Sequence, residues 1–185
     1  IENCLSFLKT SDGGKTWQKI NCSILPKVSE GEAAFATSNT NLIVRGKSIF
    51  MVSGGKKSRV FVSKDFGTTW NVYETPIVQG ETMTGIFTAD FYDTKNGIIA
   101  GGNYDKQEQN WANKAITKNG GKSWKLIAEK EAFGYASCVQ FVPKSNAKHL
   151  ISVGGTGLYY SNNFGDSWAK FSDDKDFFTF RFESE

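Results

Sequence analysis

The octapeptide Thr10-Ser-Asp-Gly-Gly-Lys-Thr-Trp17 returns as Ser63-Lys-Asp-Phe-Gly-Thr-Thr-Trp70, Thr117-Lys-Asn-Gly-Gly-Lys-Ser-Trp124 and Ser161-Asn-Asn-Phe-Gly-Asp-Ser-Trp168. The closing tryptophans stand 53, 54 and 44 positions apart. The chemistry of the unit is that of a turn. Asp12, Asp65, Asn119 and Asn163 can accept bonds from nearby backbone N–H groups. Gly14, Gly67, Gly121 and Gly165 supply a conformation that a side chain hinders. The hydroxyls of Thr10 and Thr16, Ser63 and Thr69, Thr117 and Ser123, and Ser161 and Ser167 can tie the two sides together. Trp17, Trp70, Trp124 and Trp168 can cover the apolar base, each indole N–H finding a partner. A calcium loop needs about six oxygens, and each box offers at most one or two carboxylates. The boxes read as structural corners.

Short segments rich in β-branched and aromatic residues flank each corner, among them Ser48–Val52, Arg59–Val62, Gly85–Phe91, Gly97–Ala100 and Gly157–Tyr160. No window carries the apolar spacing of an amphipathic helix. Four strands recurring every 45 to 50 residues or so describe a propeller blade. With strands lettered A to D from the axis outward, the box is the C–D turn. The reading is all-β: a part-blade at 1–25, blades at 32–76, 84–130 and 135–172, and the inner strand of a further blade within 176–185. Closed propellers take about 4 to 8 blades. This count favours a portion of a larger propeller over a four-bladed closure, the remaining blades coming from the rest of the chain or another chain.

Composition agrees. The chain has 185 residues, 39% hydrophobic and 14% aromatic, with 19 Gly and 3 Pro. That mixture suits short strands and tight turns. No stretch reaches the roughly 18 apolar residues of a membrane span. The formal charge of +3 calls for neither nucleic acid nor an anionic membrane.

The three cysteines are Cys4, Cys22 and Cys138, with no CxxC among them. Cys4 and Cys22 are equidistant from Gly13, so a cross-strand disulfide is geometrically plausible if the turn keeps that register. Two buried free thiols are the alternative. A disulfide implies an oxidising compartment.

The boxes resemble those of Asp-box (BNR) repeat propellers. Gly31-Glu-Ala-Ala-Phe-Ala36, Arg59-Val-Phe-Val-Ser63, Thr84-Gly-Ile-Phe87, Asn96-Gly-Ile-Ile-Ala-Gly-Gly102 and Gly134-Tyr-Ala-Ser-Cys-Val139 extend the likeness. Together they resemble the bacterial propellers similar to photosystem II stability/assembly factors. That resemblance implies a non-enzymatic, exported scaffold (periplasmic, cell-surface or extracellular) that holds a protein partner; a glycan is the partner that an aromatic and polar loop would equally suit. It implies no catalytic residues.

Propeller topology puts the boxes and A–B turns on one face and the B–C and D–A loops on the other, the expected ligand face. Pairs Gly54-Gly55, Gly101-Gly102 and Gly154-Gly155 mark the start of each B–C loop, and the middle loop, Asn103 to Asn113, is the longest. Its Tyr104, Asp105 and Trp111, with Glu32, Lys56, Arg59 and Tyr135 on the same face, are the ligand-binding candidates. Trp111 is expected to pack under its own loop. The Lys56-Lys57 cluster reads first as a solvated loop. No cofactor or metal is expected: His149 is the single histidine, and a Cys138–His149 pair has no third orienting group. The alternative is an Asp-box glycoside hydrolase of sialidase or endoglucanase type. Against it, Arg45, Arg59 and Arg181 are the only arginines available for a carboxylate-binding triad. Asp93 reads as a turn residue.

Overall fold

The computed structural model describes residues 3–36 and 38–183. Strands β1 (Leu8–Lys9) and β2 (Gln18–Lys19) form a two-stranded ladder. Strands β4 (Leu42–Arg45), β5 (Ser48–Val52), β7 (Arg59–Ser63) and β8 (Asn71–Glu74) form the first complete blade, paired antiparallel in that order. The second comprises β9 (Thr84–Phe91), β10 (Gly97–Asn103), β11 (Lys114–Thr117) and β12 (Lys125–Leu126). The third comprises β13 (Cys138–Phe141), β14 (Leu150–Gly154), β15 (Gly157–Ser161) and β16 (Ala169–Ser172). Two short strands, β3 (Glu32–Ala33) and β6 (Gly54–Gly55), link blades: β6 pairs with β3 and, through Gly54, with Gly85 of β9.

The sheets stack face to face, which explains why their strands lack apolar–polar alternation. Every residue of β9 and β10 is buried, whereas the outer strands β8, β12 and β16 are largely exposed. Successive residues serve opposite cores. Ile49 and Met51 join Phe7 and Leu25 against the β1–β2 ladder, while Phe50 and Val52 join Ile86, Ala89 and Phe91 of the next blade. Ile99 faces that same core, and Ile98 and Ala100 face Val139, Phe141 and Leu150.

All four boxes share one hydrogen-bond set. In the second, the Gly67 N–H donates to Ser63 Oγ at 2.8 Å, the Thr69 N–H to Asp65 Oδ1 at 2.8 Å, and Trp70 Nε1 to the Gly67 carbonyl at 3.1 Å. The other three repeat it within a few tenths of an ångström. Two successive residues of each box are left-handed, not one: Phe66 and Phe164 stand at φ 57° and 61°, beside Gly67 and Gly165 at 84° and 85°. The first of the pair donates its N–H to the A–B turn, Phe66 to Lys47, Gly120 to Lys95 and Phe164 to Lys148. Trp70, Trp124 and Trp168 pack into the core shared with the preceding sheet, whereas Trp17 is 60% exposed.

Three sequence expectations change. Cys4 and Cys22 are disulfide-bonded, with Cα atoms 5.7 Å apart, but not by the register that suggested it. The ladder pairs Leu8 with Lys19, so the turn centre lies between Gly13 and Gly14. The chain leaves the ladder at Cys22, which opens a 3₁₀ turn capped by Asn21, and Cys4 bridges to Lys27. Strand β10 also runs on through Gly101 and Gly102 instead of ending there. Gly101 is needed because a side chain there would strike the Gly85 carbonyl. Finally, residues 173–183 form no strand, because no described strand offers a ladder to the segment near 177–183.

Candidate functional site

The inner strands of the three blades are bolted together by polar side chains. Thr88 Oγ1 accepts from Thr40 Oγ1 at 2.8 Å and from the Val139 N–H at 3.1 Å. Two residues along β9 toward the box face, Asp90 accepts from Arg45 Nη2 at 2.9 Å and from the Phe141 N–H at 2.8 Å. Burial raises the Asp90 carboxyl above its usual range, against the pull of the Phe141 and Phe91 N–H groups and Arg45. Arg45 is thus spent on blade packing, and Asp93, as expected, closes its own turn by accepting from the Lys95 and Asn96 N–H groups at 2.7 Å each.

Toward the loop face the inner strands open onto aromatic rings. Phe35 stacks on Phe87 at 3.8 Å, Phe87 meets the edge of Tyr135 at 4.9 Å, and Tyr135 meets Tyr104 at 5.2 Å. Asn103 caps a short 3₁₀ turn, Tyr104–Lys106, by accepting from the Asp105 and Lys106 N–H groups, and so presents Tyr104 at the rim. Burial, with Tyr104 beside it, pushes the Tyr135 phenol above its usual range. It therefore stays neutral at physiological pH. A cavity of about 350 Å³ lies among Ser38, Asn39, Phe87, Tyr104, Tyr135 and Ser137. Phe178 and Thr179 of the final segment complete its wall. That segment is held by Lys175 to Glu108 at 3.2 Å and by Arg181 to Asn39 at 2.7 Å.

The other candidates divide. Glu32 and Arg59 meet, but in each other: Arg59 Nε and Nη2 lie 2.9 and 2.5 Å from the Glu32 oxygens, and Ser53 Oγ and the Ser29 N–H complete the shell at 2.6 and 2.8 Å. Burial alone would raise the Glu32 carboxyl, but the bonds from Arg59, Ser29 and Ser53 outweigh it and the pKa falls. Glu32 edges an open hollow of about 850 Å³ beside Glu30 and Asn3–Ser6. Lys56 is exposed over Gly31, and Lys57 sits 3.8 Å from exposed Glu74, both in keeping with a solvated loop. Trp111 does not pack under its loop: it is 47% exposed. Its neighbour Ala112 ties outward, its N–H to Glu129 and its carbonyl to the Val78 N–H. Asp105 is exposed at the rim. Cys138 and His149 are not partnered: Cys138 lies 3.8 Å from Arg181 Nη1, and His149 Nδ1 bonds Tyr160 at 2.9 Å.

Sequence reasoning missed Lys114. It is fully buried, with Nζ 3.0 Å from Asn113 Oδ1 and the Glu131 carbonyl and 4.8 Å from the Phe133 ring centre. Burial lowers its pKa to about 8. Its signal was positional: Lys114 opens strand C of its blade as Arg59 does, and both grip a D–A loop.

No family model matches the sequence, and no curated protein is similar to it. Solved structures do match. An ancestral GH74 enzyme is similar at TM-score 0.55 and 18% identity over 94% of this chain and 22% of that one. The GH74 enzyme of Niastella koreensis is similar at 0.51 and 16% over 71% of this chain and 22% of that one. YCF48 bound to D1 peptide is similar at 0.56 and 16% over 89% of this chain and 47% of that one. The chain is part of a β-propeller. It spans less than half the length of each of these structures.

Proposed function

We propose that this propeller is a non-catalytic, exported scaffold that holds an extended segment of a protein partner at the inner end of its loop face. The observation that carries the reading is the cavity between the inner strands. Aromatic faces and small hydroxyl and amide groups line it, no carboxylate among the described residues does, and the chain's own Phe178–Thr179 form one wall. Rigid aromatic anchors beside adaptable polar groups suit a peptide. The YCF48 structure, a photosystem II assembly factor with a peptide bound, supports the same ligand class. The Cys4–Cys22 disulfide supports an oxidising, exported setting.

The glycoside-hydrolase alternative draws on the GH74 likeness in fold. It needs two carboxylates about 5 to 9.5 Å apart. Glu32 is taken up by Arg59. The reading is tested by probing the protein against an array of extended peptides and against a glycan panel. Peptide capture that falls about tenfold in Tyr104→Ala, the scale of one lost aromatic anchor, supports the scaffold. Sugar release abolished by Asp105→Asn or Glu32→Gln overturns it.

A further inference from the structure

The opposite face carries a second feature, independent of the cavity above. A groove of about 610 Å³ runs between the first and second complete blades on the box face, lined by Lys64, Lys95, Lys118 and Lys122 with Ser48 and Thr94. All four lysines are exposed, and no ion pair among the described residues includes any of them. The acids closest in sequence are bonded within their own turns, although the Lys95 charge still helps to lower the Asp93 pKa. Asp65 spends its oxygens on Ser63, Thr68 and Thr69 of its own box. Asp93 spends its oxygens on Lys95 N–H and Asn96.

The turn does not require these lysines. Its bonds use only the Ser/Thr, Asp/Asn, Gly and Trp positions. The residues at the two free positions differ between boxes: Ser11 and Lys15, Lys64 and Thr68, Lys118 and Lys122, Asn162 and Asp166. The next groove round, lined by Lys118, Lys125 and Trp124, holds Asp166 where Lys122 stands one blade earlier. Basic charge is thus gathered at one blade boundary.

We propose that this groove binds a multivalent oxyanion, a ligand carrying several phosphate groups along a chain. Ammonium groups act as point charges, so they suit tetrahedral oxyanions more than the bidentate carboxylate geometry that arginine favours. The groove is open to solvent along its length, which fits a chain better than an enclosed small molecule. Each phosphate also relieves the mutual repulsion of the lysines, an effect that added salt weakens.

Tripolyphosphate is the probe, titrated calorimetrically at low salt, with inorganic phosphate as the single-charge comparison. Tripolyphosphate is expected to bind well above phosphate and to weaken steeply on going from roughly 50 to 200 mM salt. The double variant Lys95→Gln/Lys122→Gln loses about tenfold in affinity, the worth of two modest charge contacts. Lys56→Gln/Lys106→Gln on the other face changes it little. Amine acylation read by mass spectrometry needs no variant: tripolyphosphate should protect Lys64, Lys95, Lys118 and Lys122 and leave Lys56 and Lys106 reactive. Uniform protection of all lysines, an equal loss in both double variants, or binding to phosphatidylglycerol vesicles without binding to tripolyphosphate overturns the proposal.

Discussion

The Arg59 guanidinium closes on the Glu32 carboxylate through two nitrogens, at 2.9 and 2.5 Å, and the Glu32 side chain is wholly shielded from solvent. The pair joins strand C of the first complete blade to the loop that enters it, since Arg59 Nη2 also reaches the Lys27 carbonyl at 3.0 Å. Removing one partner of a shielded pair leaves an uncompensated charge, costing about 3 to 5 kcal/mol. Glu32→Ala is therefore expected to lower unfolding free energy by about 3 kcal/mol in urea titrations, and Glu32→Gln by less, because the amide keeps one acceptor oxygen. A Glu32→Ala protein as stable as the parent would mean that the carboxylate is free for ligand.

The boxes differ in how they titrate. In the first two, Thr16 and Thr69 donate Oγ1–H to Asp12 and Asp65 at 2.6 Å each. In the last two the direction reverses, with Asn119 and Asn163 Nδ2 donating to Ser123 and Ser167 at 2.8 Å each. Side-chain bonds from Thr16 and Thr69, followed by their N–H groups, hold both aspartates at about 2, below the ordinary aspartate value of 3.8. The folded state thus binds fewer protons than the unfolded one in that window. Stability from these bonds is complete above the ordinary carboxylate pKa and fades as pH falls toward 2. Asp12→Asn/Asp65→Asn should keep the turns, as the Asn boxes do, and flatten the loss of melting temperature below pH 4. An unchanged acid slope would place the acid sensitivity elsewhere.

The corners were legible because each combines local chemistry that few other sequences satisfy, and four copies fixed the period. The left-handed Phe66 and Phe164 were not, since Phe carries no turn signal; only alignment with Gly13 and Gly120 of the sister boxes reveals them. The Glu32–Arg59 pair was visible only as two charged residues on one loop face. Their mutual saturation depends on β3 lying against β6, a two-residue ladder with no sequence periodicity. Lys114 was invisible for a related reason: burial of a lysine depends on carbonyls from residues 131 and 133, which the turn after β12 delivers.

Lys114 gives an alkaline counterpart. Burial lowers it from 10.5 to about 8, while the charges of Glu129 and Glu131 act in the opposite direction. Between those values the unfolded chain binds the extra proton, so this group makes stability rise with pH from about 8 to 10.5. The full span is at most about 3 kcal/mol at 1.36 kcal/mol per unit. Subtracting the profile of Lys114→Met, which keeps the buried stem, isolates it from other groups. The difference should climb across that window. A flat difference would mean that the three acceptors around Nζ fully compensate its burial.

The Cys4–Cys22 bond holds the segment that seals the first core. Its loop carries Leu25 just outside, packed with Phe7, Ile49, Met51 and Phe61, and Val28 returns an N–H to the Asn3 carbonyl. The bond spans 18 positions, for which loop-closure entropy alone predicts about 3 kcal/mol. Cys4→Ser/Cys22→Ser is expected to lose about 2 to 4 kcal/mol, with the loss concentrated in hydrogen exchange of residues near 5–28 and little change in the third blade. Cys138 supplies an internal control, being a buried free thiol. Without reductant, iodoacetamide should label nothing in the folded protein and Cys138 alone after denaturation; after reduction it should label all three. Labelling of three thiols in unreduced, denatured protein would remove both the bond and the oxidising setting inferred from it.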